Sequence, residues 1–460
     1  MLKIKGILPA FLLCLACLAG QAGAQIVPGD ALPDLDDALT DSIERQVGDR
    51  IEGTLSERAM DAPEALVGRL DELTGPAASD QILSLSGSAL ETAETLTSDL
   101  PFANIVKGAQ ALLPLGKRPI EIDESGAWPV LRDEWVALVD NEDAALVDGL
   151  NVEIVERTAL LSSEKTLFTI RVRSDNPDAA RAEDILETLG ADRVDRNYVY
   201  RGAKGPEEIE SDPSSQHPTS AAATGRLGLI DTALDRDHPG LSRLHITVED
   251  FVTLDGNRPL AHGTGVASIL DRASSDGLQV YAASVFFLGD KGQTGASTAS
   301  LVKAIDWMLA NRVPVINFSL TGPPDRALEQ MIGLCDERGV LVVAAVGNGG
   351  PAAAPSYPAA YDGVIGVTAV DHAGSVYRWA NRGSYVDIAA LGVGVEIALP
   401  GGGWTHDSGT SLAAPLVSAF LVSENAGDNA TDALFARVSA ANETSDTSTL
   451  GRGIVWLNRQ

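Results

Sequence analysis

The sequence predicts an α/β protein. Its C-terminal half reads as a doubly wound, mostly parallel sheet, preceded by a small α+β ferredoxin-like domain and an acidic helical leader. Three observations predict this. Within 225–460, apolar runs at 227–230, 280–285, 313–319, 340–345 and 364–369 alternate with helical patterns at 262–271, 300–311, 324–338 and 411–424. Strands separated by helices argue for a parallel sheet. Within 130–202 the order is strand (135–139), helix (142–150), strand (152–157), strand (167–172), helix (177–189) and strand (194–200). That is the split-βαβ order, with Asp175 or Asn176 available to cap the second helix. Within 25–129 the chain is acidic, and Leu35, Leu39, Ile43, Val47, Ile51 and Leu55 recur every fourth position, one slanting apolar stripe on a helix.

The first residues read as an address. Lys3 and Lys5 precede an apolar stretch from Ile7 to Leu18, and small residues follow to Ala22-Gly23-Ala24. Residues 1–24 are therefore expected to be a secretory signal peptide cut before Gln25, and the protein to be exported, to the periplasm or out of the cell. The apolar run is too short to favour a membrane anchor. Cys14 occupies the place where a lipoprotein site at Cys17 wants an aliphatic residue. Both cysteines leave with the signal, so Cys335 remains alone and cannot form an intramolecular disulfide. Its spacing from Leu328 and Met331 or Ile332 puts it on a buried helix face.

The 460 residues carry 34 Lys and Arg against 64 Asp and Glu, a formal charge of −30, which repels phosphate backbones and argues against nucleic acid as a partner. Beyond the signal no apolar run is long enough to cross a bilayer, so no stable membrane insertion is expected. The leader offers no residue for chemistry, and 130–202 offers no catalytic group, which suits it to binding. Residues 203–224 are polar, include Pro213 and Pro218, and read as an exposed linker that is easily nicked.

Chemistry is concentrated at four places after residue 225. Asp231 ends the apolar strand Leu227–Ile230. His262 opens a helix in Ala261-His262-Gly263-Thr264-Gly265, where two glycines leave the helix face bare against the sheet. Asn348 follows a strand in Val346-Gly347-Asn348-Gly349. Ser411 opens the final long helix in Gly409-Thr410-Ser411-Leu412-Ala413-Ala414-Pro415, beside free backbone N–H groups and the positive end of the helix dipole. Acyl transfer needs such a set: a hydroxyl nucleophile, a neutral imidazole to take its proton, an acid to hold the imidazole, and fixed donors for the oxyanion. Singly these residues would be caps or turns. Together, at strand ends of one parallel sheet, they make a constellation.

Ile230-Asp231-Thr232, His262-Gly263-Thr264, Val346-Gly347-Asn348 and Gly409-Thr410-Ser411-Leu412-Ala413-Ala414-Pro415 resemble the signatures of subtilisin-like serine proteases, in that family's chain order. The resemblance spans about 225–460. It implies Ser411 as nucleophile, His262 as general base and then acid, Asp231 as its orienter, and Asn348 with the Ser411 N–H as oxyanion donors. Sedolisin-type relatives place a glutamate where His262 stands and an acid in the Asn348 role. It implies too that Ser319, Leu320 and Gly322, in Ile316-Asn317-Phe318-Ser319-Leu320-Thr321-Gly322, pair with an extended substrate backbone. That segment and Ala344-Ala345-Val346-Gly347, with Ala345 and Gly347, would wall a pocket for a small or apolar residue before the cut. Ala233 departs from the glycine usual after Asp-Thr. No spaced-carboxylate loop suggests calcium, so neither metal nor other cofactor is expected. His406, in Trp404-Thr405-His406-Asp407, reads as a surface loop.

By the same resemblance, 130–202 would be a propeptide that assists folding and then blocks the cleft, the chain maturing by a cut between about Tyr200 and Thr224. The expected partners are a peptide or protein substrate and the chain's own propeptide. Two other readings compete. One is a self-cleaving interaction protein whose pro-region stays bound while the acidic leader binds a partner. The other is an esterase, against which the Gly-x-Ser-x-Gly elbow is missing at Ser411.

Overall fold

The first described residues are rich in isoleucine, valine and tryptophan, and they form strands. The computed structural model describes residues 120–123, 128–172, 181–203, 223–252, 258–288, 294–423, 430–441 and 447–456. The signal peptide, the stripe from Leu35 to Leu55, the cap candidates Asp175 and Asn176 and the linker residues 204–222 lie outside the described residues.

The small domain comprises β1 (Ile120–Ile122), β2 (Pro129–Asp140), α1 (Ala144–Asp148), β3 (Glu153–Ala159), β4 (Lys165–Arg171), α2 (Ala182–Leu189) and β5 (Val194–Gly202). Its sheet runs β3-β4-β2-β5, antiparallel throughout. On one face Ala137, Val139, Phe168 and Ile170 bury against Ile185 and Leu189 of α2. β1 corrects the expectation of a helical leader reaching residue 129. Its isoleucines alternate with Glu121, Ile120 pairs with Leu131, and the Glu121 carboxylate accepts from Arg132 and Arg196 at 3.0 and 3.3 Å. A three-residue strand paired to β2 suits a sheet edge, with Ile122 left exposed.

The large domain continues with β6 (Ala223–Asp231), β7 (Leu244–Asp250), α3 (Ala261–Ala273), β8 (Ser274–Ser284), β9 (Phe286–Leu288), β10 (Thr294–Ser297), α4 (Thr298–Ala310), β11 (Val315–Phe318), β12 (Leu320–Thr321) and α5 (Arg326–Glu337). It ends with β13 (Leu341–Ala345), β14 (Val364–Val370), β15 (Ile388–Leu391), β16 (Val395–Leu399), β17 (Gly403–Asp407), α6 (Thr410–Ser423) and β18 (Ile454–Val455). Its main sheet runs β18-β15-β14-β13-β11-β6-β8-β7, with every pairing parallel. Helices cover both faces, so the strands are apolar on both sides. Val315 and Val343 face α3 and α6, while Ile316, Phe318, Val342 and Ala344 face α4 and α5. Cys335 is buried on α5 with Leu328, Met331 and Ile332, and burial pushes its thiol up to about 12. His406 is not in a loop: it sits on β17, opposite Glu396 of β16. No helix of the described residues is long and apolar enough to cross a membrane.

The small sheet does not stop at its own edge. It continues β5-β10-β9 into the large domain, and the far end of β5 also pairs with β12. Val136, Leu138, Leu167 and Tyr200 bury into the same cluster as Leu301, Ile305, Leu328 and Met331 of α4 and α5. Ala203, assigned to an exposed linker by its polar surroundings in sequence, is only 3% exposed, and Ala223 and Thr224 already belong to β6. Both corrections share a cause: strand pairing outweighs the local composition.

Candidate active site

Asp231 is the last residue of β6, at the carboxyl end of a central parallel strand, where open α/β sheets place ligands. Its Oδ1 accepts from the Thr232 N–H at 2.6 Å and lies 2.7 Å from Nδ1 of His262. Asp231 is 1% exposed, so this hydrogen bond is made in a water-poor place. His262 is the second residue of α3. The start of that helix is pinned because Gly263 donates its N–H to Thr232 Oγ1 at 2.7 Å, and Thr232 Oγ1 donates to the Ala233 carbonyl at 2.8 Å. A Cβ on Gly263 would stand 2.6 Å from the Thr232 carbonyl oxygen, so only glycine allows this approach.

Ser411 is the second residue of α6, whose first turn is buried. Its carbonyl accepts from Ser319 Oγ at 2.9 Å, and Ser319 Oγ accepts from Asn317 Nδ2 at 2.9 Å, so β11 and the following residue fix the serine from below. Asn348 follows β13; its Oδ1 accepts from the Thr410 N–H at 3.1 Å, which turns its amide toward Ser411.

The carboxyl end of β5 reaches this point. Ser411 Oγ donates to the Ala203 carbonyl oxygen at 2.8 Å, and Asn348 Nδ2 donates to the same oxygen. The Ala203 N–H donates to the Ser319 carbonyl at 3.2 Å. Behind it, Gly202 pairs with Leu320 and Arg201 with Thr321. A Cβ on Gly202 would meet His262 Cδ2 and Nε2 at 3.8 and 3.9 Å, which places the imidazole beside the backbone just before Ala203. Two donors on one carbonyl oxygen, one of them a hydroxyl with an imidazole alongside, are placed to polarise that carbonyl and attack it.

Of the residues expected to hold a substrate, Ser319 and Leu320 do engage the strand. Gly322 does not pair with it: both its backbone groups are taken by Tyr357, at 2.9 and 3.0 Å. Its part is to leave room for the Tyr200 ring. Ala345 ends β13 in the core, and Gly347 donates its N–H to Thr410 Oγ1 at 3.2 Å and so belongs to the serine's turn. Sequence reasoning missed Ala203 as the residue presented to Ser411, and β10 as the second strand flanking β5. The one signal was that 194–200 reads as a strand leading straight to it. Among the described residues no group of three or more His, Cys, Asp or Glu is placed to hold a metal ion.

Residues 225–433 match the model of the subtilase family, Peptidase S8. Subtilisin DY of Bacillus licheniformis is 30% identical over 250 residues, 51% of this chain and 89% of its own. An alkaline protease of Shouchella clausii is 33% identical over 304 residues, 60% of this chain and 77% of its own. Subtilisin E of Bacillus subtilis is 29% identical over 240 residues, 49% of this chain; the chain spans only 62% of that relative's length.

Proposed function

Since this chain belongs to the subtilase family, we propose that it is an exported serine endopeptidase that first cuts its own chain between Ala203 and Lys204. The observation that carries the reading is the Ala203 carbonyl oxygen, which receives hydrogen bonds from both Ser411 Oγ and Asn348 Nδ2.

The chemistry follows from the positions. Asp231 holds Nδ1 of His262, leaving Nε2 to take the Ser411 proton once the hydroxyl turns from the Ala203 oxygen to the imidazole, and Oγ then attacks the Ala203 carbonyl carbon. Negative charge gathers on the Ala203 oxygen, to which the Asn348 amide already donates, with the Ser411 N–H as the second donor the family resemblance implies. His262 then returns the proton to the Lys204 nitrogen, the new amine leaves, and water hydrolyses the acyl-enzyme by the same route. The residue before the cut is alanine and the one before that is glycine, which suits substrates with small residues there. Export is supported by the N-terminal pattern of residues 1–24.

A second reading draws on the extent of the contact. β5 lies between β10 and β12, and the two domains share one apolar cluster. A small domain held this way stays in the cleft after the cut, as in a self-cleaving interaction protein. The test compares wild type and Ser411→Ala by intact mass after export, then on unfolded casein. The endopeptidase reading expects wild type alone to begin at Lys204 and to digest casein. Shortening without casein digestion would favour the retained-domain reading, and equal length with no activity would overturn both.

A further inference from the structure

The backbone carbonyl of Ser411 has no partner within its own helix. In α6 it would accept from the N–H four residues on, but that residue is Pro415, which has none. A proline ring inside a helix also presses on the carbonyl four residues back and turns it off the helix axis. Ser411 is buried, and a buried carbonyl needs a donor. The Ser319 hydroxyl supplies it at 2.9 Å. That hydroxyl is not free to rotate away. Its oxygen accepts from Asn317 Nδ2 at 2.9 Å, which leaves its proton for Ser411. The Asn317 amide is held that way round because its Oδ1 accepts from Ser418 Oγ at 3.0 Å, about two turns further along α6. Asn317, Ser319 and Ser418 are all fully buried. Ser319 also accepts the Ala203 N–H on its own carbonyl at 3.2 Å, so one residue holds both the attacking serine and the strand to be cut.

We propose that Asn317 and Ser418 are positioning residues for the nucleophile, acting through the Ser319 hydroxyl, which stands in for the N–H that Pro415 lacks. The proposal rests on the endopeptidase reading and adds to it what sets the distance between Ser411 Oγ and the Ala203 carbonyl carbon. A helix with an ordinary residue at 415 would keep the Ser411 carbonyl in its own ladder, indifferent to where the substrate strand lies. Proline releases that carbonyl to Ser319, the residue that meets Ala203. The nucleophile is thereby fixed relative to the strand and not only relative to its helix. Such placement matters, because a displacement of about 1 Å costs on the order of a hundredfold in rate.

The test follows self-cleavage of the full chain by intact mass. The cut is intramolecular, so its rate constant reads the chemical step with no term for substrate capture. Ser319→Ala is expected to slow it by about tenfold to a hundredfold. Adding Pro415→Ala to that variant returns an N–H to position 415, and the double variant is expected to cut at least about fivefold faster than Ser319→Ala alone. A residue that only filled space would not be rescued by a backbone N–H in another element. Should Ser319→Ala not fold, Ser418→Ala carries the test, since alanine is the better helix former, with an expected slowing of about threefold to tenfold. A variant that cuts within about twofold of wild type, or a double variant no faster than Ser319→Ala, would overturn the proposal and leave the endopeptidase reading standing. A wild-type chain that never cuts itself would sink the reading beneath it.

Discussion

The two sheets of this protein divide the work in different ways. The parallel sheet carries its functional side chains at strand ends and helix starts: Asp231 closes β6, while His262 and Ser411 open α3 and α6. Asp231 is held by the Thr232 N–H, His262 by Asp231, and the Ser411 backbone by Ser319 Oγ. The antiparallel sheet contributes no reactive side chain and instead offers a backbone: β5 is paired on two sides and ends on Ser411. Buried parallel strands place chemistry precisely because helices clamp both faces, whereas an antiparallel sheet can be extended by any strand that fits its edge. Losses in the first should therefore fall on rate, and losses in the second on how firmly the strand is held.

The sharpest separation comes from Asn348→Ala. It removes one of two donors on the Ala203 oxygen while leaving the strand pairings of β5 in place. Self-cleavage is expected to slow by about 10² to 10³, the size of loss found for such an amide in subtilisin. Stability to urea should fall by about 1–3 kcal/mol as well, because the buried Thr410 N–H loses its acceptor. A rate within threefold of wild type, read from the time course of intact mass, would remove Asn348 from the chemistry.

Asp325 tests whether the boundary between the two regions senses pH. It is fully buried at the start of α5, accepting from Leu328 N–H at 2.9 Å and Thr298 Oγ1 at 3.0 Å. Burial, with Asp195 of β5 nearby, pushes its carboxyl from 3.8 up to about 7. The folded chain then binds a proton that the unfolded chain has released between about pH 4 and 7. Stability accordingly falls as pH rises through that window, by at most about 4 kcal/mol. Asp325→Asn keeps both hydrogen-bonding positions and should flatten this slope in melting curves taken in a Ser411→Ala background. An unchanged slope would place the titration elsewhere.

Asp306 probes the second region alone. From α4 its carboxylate accepts the Leu161 and Ser162 N–H groups of the small domain, both at 2.7 Å, and Ser162 Oγ donates to its carbonyl at 2.8 Å. Asp306→Ala strands two backbone donors and should cost about 2–3 kcal/mol in urea unfolding of the Ser411→Ala chain. The chemistry at Ser411 should be intact in an otherwise wild-type chain. A cost under 0.5 kcal/mol would mean water replaces the carboxylate at no loss.

The same division explains what was legible in the sequence. Asp231, His262, Asn348 and Ser411 stand out because their surroundings must be small: Gly263 cannot bear a Cβ against Thr232, and Gly409 would press one on the Ala203 oxygen. Such demands leave short, dense motifs. The parallel strands were readable as apolar runs because both their faces are covered. Ala203 left only the strand pattern at 194–200 that leads to it, since what brings it to Ser411 is backbone pairing with β12 and β10, and pairing is nearly blind to side chains. Gly322 was noticed, but its role was misassigned, because sequence does not say that Tyr357 claims its backbone. The strand Ile120–Ile122 was hidden inside an acidic stretch whose apolar period pointed to a helix.

The smallest expected effect is also the one that best isolates geometry from charge. Lys303 lies on α4 three residues before Asp306, and its Nζ donates to both oxygens of Glu156 on β3, at 2.8 and 3.0 Å. Both residues span the same boundary that Asp306 spans. The lysine side chain is 10% exposed and the glutamate 31%, so water reaches the pair and screens it. Lys303→Ala leaves Glu156 with its contact to Thr158 Oγ1 at 3.3 Å and with solvent, and strands no backbone group. Its cost should be about 0.5–1 kcal/mol and should shrink in 0.5 M salt. The Asp306→Ala cost should persist there, because the Ser162 donor it strands is buried. If the lysine change costs as much as the aspartate change and both fade with salt, attraction between opposite charges holds the two regions together, rather than satisfied backbone donors.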